Sequence, residues 1–128
     1  FISSHAEISR KTGATIYVSE MLGADYDHQG FDEGDIIPLG KVKLKALNTP
    51  GHSPASLTFY CAADQFLIAG DVLFYGSIGR TDLPGGNHAT LIESIKTKLL
   101  PLDDAVRVYP GHMQPTTIGF ERANNPFL

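Results

Sequence analysis

Three times in this chain an apolar run stops at a glycine, and the next residue carries a side chain able to bind a metal. The three places are Thr49-Pro50-Gly51-His52-Ser53, Ala69-Gly70-Asp71 and Tyr109-Pro110-Gly111-His112. Proline and glycine make a sharp strand-exit turn, and glycine lets backbone approach closely, so the side chain that follows projects from the edge of a sheet. Imidazole and carboxylate suit zinc, iron or manganese. A lone Gly-His after a strand is ordinarily a hydrogen-bonded turn histidine. Three compatible strand-end donors in one small chain are much harder to reach by accident.

The segments around these turns read as alternating helix and strand. Ser4 and Glu7 have the spacing of a capping box at the start of a helix that Lys11, Thr12 and Gly13 close. Residues 14–19 (ATIYVS) and 36–39 read as short strands, with a glycine-rich, acidic loop between them. Residues 41–47 alternate lysine and apolar side chains, the period-2 signature of a strand with one wet face. Residues 57–61 and 66–69 are two more strands, separated by four residues, which predicts an antiparallel hairpin. From Asn87 as N-cap, Leu91, Ile92, Ile95 and Leu99 recur at helical spacing up to Pro101. Residues 106–109 make a buried strand, and residues 115–124 hold one more helix before Pro126.

With 128 residues the chain fits one domain, spanning 1–128. Hydrophobic residues at 42% and charged residues at 19% exclude a disordered or fibrous class. A net charge of −4 argues against a phosphate-tracking surface, so nucleic acid is not an expected ligand. The apolar runs are too short to span a bilayer and no leader opens the chain, so no membrane is expected and the protein is read as cytoplasmic. The one cysteine, Cys61, lies in an apolar run and reads as a buried hydrophobe in a reducing compartment.

The motifs TPGHS, GD and GH, each after a strand, resemble those of the metallo-β-lactamase-fold superfamily, and the resemblance spans nearly the whole chain. It implies an α/β fold, the αββα metallo-β-lactamase sandwich, here as a C-terminal portion lacking the first strands. It also implies that His52 is a ligand of a first metal, Asp71 a catalytically essential carboxylate bridging two metals, and His112 a ligand of the second. The stretch Gly79-Arg80-Thr81-Asp82-Leu83-Pro84-Gly85-Gly86 and the ending Pro115-Thr116-Thr117-Ile118-Gly119-Phe120-Glu121-Arg122 to Asn125-Pro126-Phe127-Leu128 look like the glyoxalase II-like hydrolases, which cleave thioesters such as hydroxyacyl-glutathione. The family's His-x-His-x-Asp-His motif is absent, and Phe1 would stand at its last position. In this respect, and over residues 3–19, the front of the chain is similar to the persulfide dioxygenases and their rhodanese-linked relatives, which hold a single iron.

The resemblance therefore implies two zinc ions and a small-molecule thioester substrate, hydrolysed by metal-activated water. Tyr75 and Arg80 are expected near the pocket, Arg80 either pairing its planar fork with a substrate carboxylate or tying structurally to Asp82. In the iron alternative, His52 and Asp71 join an upstream histidine and His112 stands behind the ligands. A third reading is a non-catalytic portion, because three matched donors are fewer than a metal site needs. Losing the first strands would expose a sheet face and edge, so a homo-oligomer, or a missing N-terminal segment, is expected to cover them. His5, His28 and His88 are read as solvated or hydrogen-bonding, and residues 32–35 as a solvated acidic turn without an EF-hand pattern.

Overall fold

The computed structural model describes residues 4–128, so Phe1 lies outside the described residues. The chain opens with helix α1 (His5–Thr12), which Gly13 ends in the left-handed conformation, its N–H bonded to the Ser9 carbonyl at 2.8 Å. Ser4 does occupy the N-cap, but its side chain makes no cap hydrogen bond. The predicted capping box does not close because Lys11 takes the Glu7 carboxylate, 2.6 Å away one helical turn on. Strand β1 (Tyr17–Ser19) is shorter than its apolar run and pairs in parallel with β2 (Gln29–Phe31), a strand that the sequence reading placed in a loop.

The body of the molecule is a six-stranded mixed sheet. Its strands are β3 (Ile36–Leu39), β4 (Val42–Asn48), β5 (Leu57–Cys61), β6 (Phe66–Gly70), β9 (Arg107–Pro110) and β10 (Thr116–Thr117), in the order β10-β9-β6-β5-β4-β3. The β5–β6 hairpin is antiparallel as expected, while β6 and β9 run parallel. The crossover between these two carries a small antiparallel hairpin, β7 (Leu73–Phe74) and β8 (Ser77–Ile78), and helix α2 (His88–Ser94). Asn87 caps α2 by accepting the Thr90 N–H at 2.9 Å. The helix continues through a wider turn, Ile95–Leu99, in which the Leu100 N–H reaches back to the Ile95 carbonyl. Helix α3 (Ile118–Asn124) closes the described chain, capped by Thr117.

Alternation along the strands sorts side chains to two faces. On one face Leu47, Leu67, Ala69 and Val108 pack with Leu91, Ile95 and Leu99 of α2, Val106 and Ile118, which makes the larger core. On the other, Leu44, Ala46 and Cys61 join Phe31 and Ile37 in a smaller cluster flanked by Phe59 and Phe66. That second face is only partly covered: Ile68 and Tyr109, paired side by side in register, are 43% and 38% exposed. Cys61 is buried, as its apolar run predicts. No helix among the described residues is long and apolar enough to cross a membrane.

Because β4, β6 and β9 all run in the same direction, their C-terminal ends lie together at one end of the sheet. The turns carrying His52, Asp71 and His112 follow these three ends.

Candidate metal centre

The three strand-exit side chains converge. His52 Nε2 lies 3.5 Å from Asp71 Oδ2, and His112 Nε2 lies 3.4 Å from Asp71 Oδ1, so one carboxylate stands between two imidazoles. Each turn is held by its own neighbours. After β4, the Pro50 carbonyl accepts the Ser94 hydroxyl at 2.8 Å and the Gly51 carbonyl accepts the Asn87 N–H at 2.7 Å, which docks the histidine turn onto α2. Gly51 sits at φ +133°, and a Cβ there would meet the Leu91 backbone at 2.4 Å. After β6 and β9, the Gly111 N–H bonds to the Gly70 carbonyl at 2.7 Å and ties the Asp71 and His112 turns together. A Cβ on Gly111 would lie 2.4 Å from Asp71 Oδ1, and one on Gly79 would lie 1.9 Å from the Asp71 carbonyl oxygen. Gly111 leaves room for the Asp71 carboxylate where a side chain would not, and Gly51 and Gly79 do the same for the neighbouring α2 and the Asp71 backbone.

The acidic turn at residues 32–35 is exposed, as expected, and its side chains also support the end of β4. Asp32 Oδ1 accepts the Asn48 side-chain amide at 2.8 Å, and Glu33 Oε2 accepts both the Asn48 backbone N–H and the Lys98 ammonium. The Asn48 bond, followed by the Glu33 backbone N–H, holds the Asp32 carboxyl below its usual range. These bonds fix the last residue of β4 four positions before His52.

The proton on His52 is assigned by its partner. Nδ1 is 2.8 Å from the Arg80 carbonyl oxygen, which only accepts, so Nδ1 carries the hydrogen and Nε2 of the neutral ring keeps its lone pair toward Asp71. Nε2 faces Asp71 Oδ2 across 3.5 Å, a gap that either a proton on Nε2 or a bound cation fills, and the orienting Nδ1–H bond is the usual support of a metal-ligating histidine. Among the described residues no three His, Cys, Asp or Glu side chains are grouped to hold one metal ion alone. The donors instead form two half-sites that share Asp71, each with one imidazole nitrogen and one carboxylate oxygen. That set fits a metal pair bridged by a carboxylate whose remaining ligands come from elsewhere.

The donors open on a cavity of about 240 Å³ lined by His52, Asp71, Arg80 and His112 together with Phe74, Ser77, Ile78 and Met113. His112 is 69% exposed and its ring meets Phe74 edge-on at 5.6 Å, whereas His52 is 25% exposed. Sequence reasoning missed the four apolar and hydroxyl wall residues; the signal for Met113 was its place directly after the Gly-His turn. Tyr75 is not part of this lining: it stacks on Phe120, 4.7 Å between rings inclined at 16°. The guanidinium of Arg80 is engaged by Asp82 through two parallel bonds of 2.8 Å, the structural tie weighed from the sequence. These bonds hold the Asp82 carboxyl down at about 2. His28 bonds the Tyr26 carbonyl, His5 lies against the Tyr26 ring, and exposed His88 opens α2, so none of them joins the site. A larger cleft of about 620 Å³ is lined by Lys43, Lys45, Tyr60 and Lys98 but contains no histidine, and its one carboxylate, Glu33, is paired with Lys98.

The chain has recognisable relatives among known proteins. The Metallo-beta-lactamase superfamily matches residues 6–112. The hydroxyacylglutathione hydrolase GloC of Haemophilus influenzae is 48% identical over 96 residues, covering 75% of this chain and 45% of the hydrolase. The crystal structure of ETHE1 from Myxococcus xanthus superposes with a TM-score of 0.90 at 31% identity, over 98% of this chain and 56% of that one. TTHA1623, solved in a di-iron-bound form, gives a TM-score of 0.84 at 31% identity, over 98% of this chain and 70% of that one. The chain thus spans about half the length of the curated relatives it matches.

Proposed function

Because this chain belongs to the metallo-beta-lactamase superfamily, whose fold it carries in part, we propose that it supplies the later half of a metallo-hydrolase site that cleaves thioesters of the hydroxyacyl-glutathione type. The observation that carries this reading is the placement of His52 and His112 on the two oxygens of Asp71. The likeness to GloC supports the substrate class. The remaining ligands come, in this reading, from sequence outside the 128 residues, a segment that also covers the sheet face carrying Ile68 and Tyr109. If a second copy covers that face instead, the chain sediments as a dimer. Zinc is the proposed metal, and the di-iron form of TTHA1623 keeps iron as the alternative.

His52, Asp71 and His112 would hold the metal pair, which when bound supplies a Lewis acid and a water acidic enough to act near neutral pH. The chain's own groups do the rest. The Arg80 carbonyl fixes the His52 tautomer and points Nε2 at the site. Asp71 presents one oxygen to each half-site and is the only carboxylate among the described residues lining the pocket. Phe74, Ile78 and Met113 form an apolar wall that displaces water from the acyl and sulfur portions of a thioester, which strengthens every electrostatic contact inside. Arg80 offers a substrate carboxylate its guanidinium only by leaving Asp82.

A mononuclear iron persulfide dioxygenase is the second reading. The asymmetry of the two histidines favours it, His52 being oriented and half-buried while His112 is 69% exposed. The natural chain that carries these residues separates the two. Release of free thiol from S-lactoylglutathione, lost in Asp71→Asn, supports the hydrolase. Oxygen uptake with glutathione persulfide, retained in His112→Ala, supports the dioxygenase and overturns the thioesterase reading.

A further inference from the structure

The closing motif PTTIG with its trailing Glu and Asn-Pro has no part in the chemistry above, yet its most buried polar side chain bonds the hairpin that walls the pocket. Glu121 of α3 is fully buried, and among the described residues it forms no ion pair with a lysine, arginine or histidine. Its carboxylate is satisfied by neutral donors instead. The Gly76 N–H donates to both oxygens at 3.2 and 3.0 Å, the Thr116 hydroxyl to Oε1 at 2.6 Å, and the Asn125 amide to Oε2 at 2.7 Å. The same Asn125 amide donates to the Ser77 carbonyl at 3.0 Å. A buried carboxylate is tolerated only where such donors are complete, and bonds to an ionised acceptor are the strong ones.

The donor Gly76 and the acceptor Ser77 belong to the β7–β8 hairpin, which has two residues in each strand. So small a hairpin does not hold its shape alone. The hairpin and the two residues that follow it, Gly79 and Arg80, contact the residues proposed as ligands. Phe74 meets His112 edge-on, Gly79 packs without room for a side chain against the Asp71 carbonyl, and the Arg80 carbonyl holds His52 Nδ1. We propose that Glu121, with Asn125, is a positioning residue of the site: the pair clamps the β7–β8 hairpin to α3 and thereby sets the pocket wall and the orientation of His52, Asp71 and His112. Tyr75 on Phe120 is a second rivet of the same clamp. The part of this inference that concerns turnover rests on the metallo-hydrolase reading; the part that concerns the hairpin does not.

The test uses the natural chain carrying these residues and three variants. Glu121→Gln keeps the size but sets an NH2 among donors, and Asn125→Ala removes the Ser77 and Glu121 bonds in case the Glu121→Gln variant folds poorly. Thr117→Ala removes the α3 cap, whose bond to the Phe120 N–H is 3.2 Å, and leaves the clamp intact. For Glu121→Gln and Asn125→Ala, amide exchange in the metal-free protein should quicken about tenfold at residues 73–80 and stay unchanged in β4 to β6. Zinc affinity, read by competition with a chromophoric chelator, and kcat/KM should each fall about ten- to a hundredfold, the usual effect of removing support behind a ligand. Thr117→Ala should lower Tm and change none of these. Unchanged hairpin exchange or zinc affinity in both clamp variants overturns the proposal, and so does an equal loss in Thr117→Ala. If the chain hydrolyses no thioester while the clamp variants still loosen the hairpin and lose zinc, the functional reading fails and the clamp stands.

Discussion

Replacing Gly51 by alanine perturbs the turn that delivers His52, and the structure sets the size of the effect. Gly51 has φ +133°, where an L-residue is strained by about 1–3 kcal/mol. Its new Cβ would stand 2.4 Å from the Leu91 N, Cα and Cβ atoms, in the first turns of α2, so helix and turn must part. Overpacking of that kind adds about 1–3 kcal/mol. Restricting the unfolded chain returns about 0.4–1 kcal/mol, leaving a net loss of roughly 1–5.6 kcal/mol. Gly13→Ala is the matched control, because Gly13 also has positive φ, +72°, but nothing within 4 Å of its Cβ position. It should cost about 1–2 kcal/mol, the left-handed penalty alone. Thermal unfolding followed by circular dichroism at one pH should show a Tm drop at least twice as large for Gly51→Ala. Equal drops would refute the claim that the histidine turn is wedged against α2.

The other predictions are quickly stated. Asn87→Ala, which removes the cap of α2, should cost about 0.5–2 kcal/mol in denaturant unfolding. Ile95→Ala, in the fully buried centre of the larger core, should cost about 2–5 kcal/mol in the same assay. The Asp82 carboxyl is held down at about 2 by Arg80, so whatever this exposed pair contributes is complete above the ordinary carboxylate pKa near 4 and is lost as pH falls toward 2. A carboxyl NMR titration should find that midpoint, and Arg80→Ala should return it toward the ordinary value.

The strands that position the site were legible where periodicity is local. The lysine alternation of β4, the β5–β6 hairpin and the Asn87-capped helix each follow from spacing within a few residues. The parallel pairing of β6 with β9 is carried by residues about forty positions apart, and no local period encodes it. Strand β2 was missed because Gln29-Gly30-Phe31 has poor strand propensity and is held by its neighbour β1. That His52, Asp71 and His112 come together was legible because glycine turns at strand ends are written in sequence. Tyr75 was placed near the pocket by proximity to Asp71 alone, and the turn at Gly76 directs it to Phe120 instead. The role of Glu121 depends on contacts 45 residues apart and was not legible.

The central claim is that His52, Asp71 and His112 hold metal through a shared carboxylate. Elemental analysis of the natural chain and of its His52→Ala, Asp71→Ala and His112→Ala variants tests it most directly. The account predicts two metal ions per chain, both lost in Asp71→Ala because that carboxylate serves both half-sites, and one lost in each histidine variant. Full metal content retained in Asp71→Ala would contradict it.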